Sequence, residues 1–250
     1  MRDFLFSKGG SSGGARPKML TKVDGEDWII KFQSPYDSKD MGRQEYDYAM
    51  CAKECGIEME NVRLFPSECT KGYFGTKRFD CNNDSKSRKI HMVSASGLLE
   101  TSHRIPNLDY DILMQLTLKL TKSMEECEKL YRLMSFNVYA HNRDDHSKNF
   151  TYLYDECCWK LSPAYDLTYS NSIGGEHATS VNGNGVNPDQ DESFSDFRDK
   201  SVQDFRFALS EGIRRQVFFA TVVQNIETQK IMQNSTCSLK ITVYNVTIMG

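Results

Sequence analysis

The chain has 250 residues, of which 39% are hydrophobic and 26% are charged, and its formal net charge is −3. This composition is typical of a globular protein and allows one large domain or two lobes that share a cleft. The mildly acidic balance argues against a strongly basic nucleic-acid-binding protein, and the sequence has neither an apolar stretch of about 18 residues nor a signal-peptide core.

The first part of the chain predicts a loop followed by a β-hairpin. Residues 7–16 contain four glycines and three serines, a composition typical of a loop. Two strand-like segments then flank Asp24 and Gly25, which are a strong signal for a two-residue turn. Apolar side chains alternate along residues 26–32, and Lys31 lies near the end of this predicted strand.

The next region predicts one helix and several short strands. Residues 41–55 have helical spacing, with Glu45 in the first turn and Gly56 as the residue that ends the helix. Residues 57–80 are predicted to form short strands joined by turns. One stripe of the helix consists of Tyr46, Ala49, Met50 and Lys53.

The second half of the chain is mostly helical in pattern. One helix is predicted from Asp109, and a second begins at residues 123–126, which have the form of a capping box. Residues 150–154 and 158–161 then predict a hairpin, and the tail from residue 203 mixes helical and β-like patterns. The apolar face is Ile112, Leu113, Leu116 and Leu120 in the first helix, and Leu130, Leu133, Met134 and Val138 in the second.

This order of elements predicts an α+β fold with two lobes. Residues 1–90 would form a small, β-rich N-lobe that carries the Gly-rich loop, Lys31 and Glu45. Residues 91–250 would form a mostly helical C-lobe.

The cysteines predict neither disulfides nor a zinc site. None belongs to the paired Cys-x-x-Cys motifs that a structural zinc site uses. We therefore interpret them as free thiols in a reducing, cytoplasmic environment. The eight residues are Cys51, Cys55, Cys69, Cys81, Cys127, Cys157, Cys158 and Cys237.

A polar segment after the second long helix has the residue types of a phosphate-transfer site. A kinase needs a carboxylate near the attacking hydroxyl, an amide and a second carboxylate for magnesium, and a lysine at the phosphates. Asp144 and Asn149 have the spacing of the base and the amide ligand in a kinase catalytic loop. Asp166 follows the predicted hairpin, and Lys31 and Glu45 lie upstream.

Each of these features is common by itself, and other functions fit some of them. A nucleotide-binding pseudokinase or regulatory module would keep the same residues without transferring phosphate. A small-molecule phosphotransferase would share the Asp-x4-Asn arrangement. A DNA-binding module is disfavoured by the acidic balance and by the lack of a helix-turn-helix pattern. The order of all the features along the chain favours a protein kinase.

Two segments resemble the hallmarks of the HipA family of serine/threonine kinase toxins. Residues 142–150 match Asn-x-Asp-x-His-x-Lys-Asn-Phe, and residues 163–166 match Pro-x-Tyr-Asp. The likeness covers residues 7–225. Long members carry an additional N-terminal subdomain before the Gly-rich loop, whereas here the loop follows within a few residues of Met1. The chain therefore resembles the short form of the family, similar to HipT, in which that subdomain is a separate protein.

The resemblance implies a bilobal, protein-kinase-like fold and a set of catalytic residues. Asp144 is implied as the general base, with His146 and Lys148 as its catalytic neighbours. Asn149 and Asp166 are implied as the ligands of Mg²⁺.

The resemblance also implies how ATP is held. Lys31, paired with Glu45, would contact the phosphates. Lys77, Arg78 and Phe79 would form the hinge at the adenine, and Asp80 would reach the ribose. The implied ATP-binding residues are Lys31, Glu45, Lys77, Arg78, Phe79 and Asp80.

Family members phosphorylate a serine of their own Gly-rich loop, and Ser11 or Ser12 occupies that place here. A phosphoserine there would compete with the nucleotide phosphates because both are anionic. The resemblance further implies a cytoplasmic type II toxin–antitoxin system. Its protein substrate would be an aminoacyl-tRNA synthetase. Its partners would be a HipB-like antitoxin and a separate N-terminal-subdomain protein, with DNA reached only through the antitoxin and no membrane partner.

Overall fold

The computed structural model of the chain describes residues 16–35, 37–81, 89–102, 108–155, 157–170, 175–186 and 188. Ser11, Ser12 and the predicted tail from residue 203 lie outside the described residues. The strands are β1 (Lys18–Val23), β2 (Glu26–Lys31), β3 (Val62–Phe65), β4 (Tyr73–Lys77), β5 (His91–Ser94), β6 (Leu108–Asp109), β7 (Thr151–Asp155), β8 (Cys158–Leu161) and β9 (Thr179–Ser180). The helices are α1 (Met41–Glu54), α2 (Ala95–Leu98), α3 (Tyr110–Thr121) and α4 (Met124–Tyr139).

The first four strands form an antiparallel sheet with the order β1-β2-β4-β3. The β1–β2 turn is the predicted one, since Asp24 and Gly25 both have positive φ values, 53° and 84°, as a tight hairpin turn requires. Because side chains alternate along a strand, Lys31 leaves β2 on the opposite face from its apolar neighbours. The other face is apolar, and its side chains, from Trp28, Ile30 and Phe32, are all buried.

Helix α1 lies against this sheet with a face that differs from the predicted stripe. Of that stripe Ala49 is buried, but Met50 is exposed and Lys53 is half-buried. Glu45 is buried too, and it lies in the second turn, not the first. An amphipathic pattern does not predict a buried carboxylate. The ion pair of Glu45 with Lys31 makes this burial possible. The buried face consists of Gly42, Glu45, Tyr48, Ala49, Cys51 and Ala52.

A glycine allows the close approach of α1 to β4. A Cβ atom on Gly42 would lie 2.3 Å from the carbonyl oxygen of Gly72 and 3.0 Å from the backbone nitrogen of Phe74. We therefore expect Gly42→Ala to lower the free energy of unfolding by about 1–3 kcal/mol, although alanine is the better helix former. Urea unfolding checks this. The exposed control Gln44→Ala on the same helix should change stability by less than about 0.5 kcal/mol, and an unchanged Gly42→Ala would contradict the close packing.

In the second half of the chain, α3 and α4 pack on the sheet β5-β7-β8. The face predicted for α3 is partly wrong, because Leu113 is buried but Ile112 is exposed. Tyr110 and Thr117 replace it in the core, where their hydroxyls have buried partners. All four predicted core residues of α4 are buried, namely Leu130, Leu133, Met134 and Val138.

The predicted capping box of α4 is wrong, although the helix begins where predicted. Ser123 is the N-cap residue, but its side chain makes no capping hydrogen bond. The buried carboxylate of Glu126 instead accepts hydrogen bonds from the backbone nitrogen of Leu161 at 2.7 Å and from Lys129 Nζ at 2.9 Å. Glu126 therefore joins α4 to β8 instead of closing the helix end.

Two hydrogen bonds join α1 and the segment after it to the second half of the chain. Tyr48 Oη donates to the carbonyl oxygen of Ala140 at 2.7 Å, and the backbone nitrogen of Ala164 donates to the carbonyl oxygen of Glu58 at 2.8 Å. The segments after α4 and after β8 are thereby held beside α1. The elements form the predicted α+β arrangement. Among the described helices, none has the length and apolar character needed to cross a bilayer.

Candidate active site

Three charged side chains that are distant in sequence meet at the end of β2. Lys31 Nζ donates hydrogen bonds to Glu45 Oε1 on α1 and to Asp166 Oδ1 in the segment after β8. The side chain of Lys31 is 12% exposed and that of Glu45 is 5% exposed. The fold thus brings together the lysine, glutamate and late aspartate that the order of the sequence predicts as neighbours.

Mutual attraction sets the charges of this group. Burial alone would lower the pKa of Lys31, but the carboxylates of Glu45 and Asp166 outweigh it and raise that pKa above its ordinary value. Burial raises the pKa of Glu45, with Lys31 acting against the rise. Asp166 behaves differently: Lys31 and the nearby Lys18 outweigh burial and lower its pKa. The site therefore holds a charged lysine beside a charged Asp166.

Asp166 has an uncommon backbone conformation. Its φ of +56° lies in the left-handed region, which few non-glycine residues adopt, aspartate being one of the more tolerant. Such conformations concentrate at functional sites, where the surrounding structure holds them in place. Here the neighbouring Ala164 bonds to Glu58 and Tyr165 Oη donates to the carbonyl oxygen of Lys148 at 2.6 Å. Both contacts hold the backbone next to Asp166 and so help to set the direction of its side chain.

The predicted catalytic loop, residues 142–149, follows α4 and is called the catalytic-loop segment. The charge of Asp166 acts on Asp144 in this segment. The side chain of Asp144 is 64% exposed, and His146 Nε2 lies 3.9 Å from its Oδ1 atom. Asn149 Nδ2 donates to the carbonyl oxygen of Asp144 at 2.8 Å. Lys148 is exposed beside Asn149. The predicted base and amide ligand are thus adjacent in space and are accessible to a substrate.

Sequence reasoning missed Asp145, the second aspartate of the segment. It is 1% exposed, and its carboxylate accepts hydrogen bonds from Tyr110 Oη at 2.9 Å and from the backbone nitrogens of Ala178 and Thr179 at 2.9 and 3.2 Å. The doubled aspartate was the one signal in the sequence. Nothing in the sequence indicated which of the two carboxylates points inward.

A cavity of about 310 Å³ opens beside Lys31 between the sheet and the segment after β8. Lys31, Glu45 and Asp166 are among its charged lining residues, and apolar and charged side chains alternate over the rest, the charged ones including Lys77, Arg78 and Asp80. All four residues predicted at the adenine and ribose lie in its lining. The apolar lining includes Ala49, Met59, Phe74 and Leu167.

The side chains predicted at the adenine and ribose are held by their own contacts. Lys77 Nζ contacts Glu26 Oε1 at 2.5 Å, and Phe79 lies 5.5 Å from the ring of Tyr165. Arg78 binds Asp80 through two hydrogen bonds, of 2.9 and 2.5 Å. Burial opposes the ionisation of Asp80, but this ion pair prevails and lowers its pKa. Phe79 and Tyr165 thus give this part of the cavity an aromatic surface, with the Arg78–Asp80 ion pair beside it.

The residues present also fit a magnesium nucleotide. Mg²⁺ prefers oxygen ligands and is commonly held by one or two carboxylates together with substrate phosphates. Asp166 offers a charged carboxylate. Because the amide nitrogen of Asn149 donates to Asp144, the carbonyl oxygen of Asn149 is the atom with which it would bind a cation.

The chain is similar to known proteins in sequence pattern and in fold. The family model of the HipA-like C-terminal domain matches residues 10–230. The chain is similar to the solved structure of HipA in the Shewanella oneidensis MR-1 toxin–antitoxin complex with HipB and operator DNA, with 18% identity and a TM-score of 0.60, over 76% of this chain and 52% of that one. It is also similar to the Helicobacter pylori proinflammatory kinase CtkA, with 15% identity and a TM-score of 0.50, over 64% of this chain and 55% of that one.

Both likenesses concern the fold, and they confirm the predicted α+β, kinase-like architecture. The chain spans about half the length of these two solved proteins. No curated protein matches its sequence. Since the family model covers most of the sequence, the chain belongs to the family of HipA-like C-terminal domains.

Proposed function

We propose that the chain is an ATP-dependent serine/threonine protein kinase. The observation that supports this most is the contact of Lys31 with both Glu45 and Asp166 in the lining of this cavity. A kinase requires a lysine held by a glutamate together with a metal-binding aspartate. Neither an isolated ion pair nor an isolated polar loop would supply this arrangement.

Each part of the site has a task in the proposed reaction. ATP and Mg²⁺, when bound, supply the transferable phosphate and neutralise its charge. Lys31 binds the phosphates, and Asp166 and Asn149 hold the metal. Asp144 orients the attacking hydroxyl and accepts its proton.

The remaining predicted residues assist these steps. Lys148 is exposed next to Asn149, where its charge suits the γ-phosphate. His146, 3.9 Å from Asp144, helps to set the charge and position of the base. Lys77, Arg78 and Phe79 form the hinge at the adenine, and Asp80 binds the ribose.

We extend the proposal to the cellular role through the family. The S. oneidensis HipA structure contains HipB and operator DNA, and for this chain we propose a HipB-like antitoxin, with DNA reached only through it. The chain would act in the cytoplasm as the toxin of a type II system. Its proposed substrate is an aminoacyl-tRNA synthetase, and a separate N-terminal-subdomain protein is a further proposed partner.

Mass spectrometry of the purified chain incubated with Mg²⁺ and ATP tests the kinase activity. We expect a phosphate on Ser11 or Ser12, because a serine of the Gly-rich loop would lie at the nucleotide phosphates. Asp144→Ala should reduce this gain by about 10²–10⁴-fold, the range for loss of a general base. The matched control is Asp47→Ala, which breaks only a surface ion pair with Arg43 and should leave the gain unchanged.

Two outcomes would contradict the proposal. Undiminished phosphorylation of the Asp144→Ala variant would show that Asp144 is not the general base. Nucleotide binding by the wild-type chain without phosphate gain, even with a HipB-like or N-terminal-subdomain partner added, would favour a pseudokinase.

A further inference from the structure

The backbone and the side chain of Asp145 are both held by one dipeptide. Oδ1 accepts hydrogen bonds from the backbone nitrogens of Ala178 and Thr179, at 2.9 and 3.2 Å. Thr179 Oγ1 donates in the opposite direction, to the carbonyl oxygen of Asp145. Because the contacts run both ways, neither segment can shift along the other without breaking several hydrogen bonds at once.

The other carboxylate oxygen of Asp145 is connected by hydrogen bonds to the beginning of the catalytic-loop segment. Oδ2 accepts from Tyr110 Oη at 2.9 Å and lies 3.1 Å from His177 Nδ1. Tyr110 Oη accepts from Asn137 Nδ2, and Asn137 Oδ1 accepts from Asn142 Nδ2, both at 2.9 Å. A continuous buried path thus joins Asp145 to Asn142, the first residue of the segment.

The dipeptide that holds Asp145 is itself anchored to the fold. Thr179 and Ser180 form strand β9, which pairs in parallel with β6 just before α3. Ser180 Oγ and the backbone nitrogen of Gly183 both donate to Asp109 Oδ2, at 2.6 and 2.8 Å. The dipeptide Ala178–Thr179 is therefore anchored, through β9, to the strand before α3.

The buried carboxylate of Asp145 orders the backbone around it. Removing a carboxylate from water is costly unless its hydrogen bonds are replaced, and both oxygens of Asp145 have protein partners. The adjacent aspartates differ in exposure, since Asp145 is buried whereas the side chain of Asp144 is 64% exposed.

We infer that Asp145 is a positioning residue for phosphate transfer. Its carboxylate clamps residues 178–179 and thereby fixes the backbone from which Asp144 and Asn149 reach the reacting groups. The inference rests on the proposed kinase function. It concerns a carboxylate that would touch neither the nucleotide nor the acceptor.

Kinetics of two substitutions test the clamp. Asp145→Ala removes every acceptor, and we expect kcat to fall on the order of 100-fold, as for a displaced catalytic group. Nucleotide affinity should change by less than about threefold, because the cavity is untouched. Asp145→Asn keeps an acceptor for both backbone nitrogens and should retain kcat within about tenfold. An equal loss in both variants, or a nucleotide affinity that falls as far as kcat, would overturn the inference.

Two fully buried tyrosines provide a matched pair. Tyr110→Phe removes a hydroxyl bonded to Asp145, whereas Tyr152→Phe removes one bonded to Thr117, away from the catalytic-loop segment. Both variants lose a buried hydroxyl, so their stabilities should fall similarly. We expect only Tyr110→Phe to lower kcat, by about 3–10-fold, and equal effects on kcat would count against the clamp.

Hydrogen exchange gives a readout that does not need activity. We expect peptides covering residues 143–150 and 176–181 to exchange faster in Asp145→Ala or Tyr110→Phe than in wild type, whereas peptides of β2 and α1 should not change. If Asp145→Ala does not fold, Tyr110→Phe carries the test. If a variant exchanges faster but the wild-type chain transfers no phosphate, the kinase proposal is contradicted and the clamp is not. Unchanged exchange would overturn the clamp itself.

Discussion

Asp166→Ala is expected to lower phosphate transfer on the order of 10³-fold, the scale for losing a group that stabilises charge at the transferred phosphate. The variant loses the proposed metal carboxylate, and Lys31 loses one of its two acceptors. Transfer is measured by phosphate incorporation under saturating nucleotide. Expression of the wild-type chain is expected to slow growth, and the same substitution should relieve this effect.

The metal dependence of nucleotide binding separates this role from a structural one. In the wild-type chain Mg²⁺ should strengthen ATP binding, and in Asp166→Ala this gain should disappear while binding without metal is kept. Asp47→Ala again serves as the control, since its carboxylate bonds to Arg43 on the surface. Transfer at the wild-type rate by Asp166→Ala, or equal growth with both versions, would contradict the assignment.

Features set by local rules were predictable from the sequence. The turn at Asp24 and Gly25 depends on two residues that adopt positive φ, and the structure has that turn. The core positions of α4 follow from apolar spacing alone. The meeting of Lys31, Glu45 and Asp166 was predictable for another reason: their order along the chain resembles a known arrangement, although no local rule brings them together.

Features that depend on distant partners were not predictable in this way. The helix α1 buries Glu45 because Lys31 lies opposite, and helical spacing alone, which marked Tyr46, Ala49, Met50 and Lys53, did not show this face. Glu126 has the spacing of a capping residue, but the backbone nitrogen of Leu161 binds it instead. Both errors concern a carboxylate whose partner comes from another element.

Asp145 shows the same limit at the candidate site. Two adjacent aspartates are chemically identical in the sequence, and the pattern Asp-x4-Asn selects Asp144. Only the arrival of residues 177–179 from later in the chain distinguishes the inward carboxylate from the outward one. The same contact gives the two adjacent aspartates different surroundings, one buried and one exposed.

Lys31→Met is expected to abolish detectable transfer and to destabilise the fold. Met keeps the length of the side chain but leaves Glu45 buried without its cation, and breaking such a pair costs about 3–5 kcal/mol. Removal of Lys31 lets the pKa of Glu45, already raised by burial, rise further. The folded variant then retains a proton that the unfolded chain releases, so its stability falls as pH rises above the ordinary carboxyl pKa.

The loss of stability in Lys31→Met should therefore be larger at about pH 8 than at about pH 5.5, as measured by urea unfolding beside the wild-type chain. Lys31 itself stays charged in both conditions, because its own pKa is raised. The double variant Lys31→Met/Glu45→Gln removes the buried charge as well, and should regain stability and lose the pH dependence without regaining transfer. A double variant that recovers transfer would show that Lys31 serves only to neutralise Glu45, whereas recovery of stability alone assigns Lys31 to the phosphates.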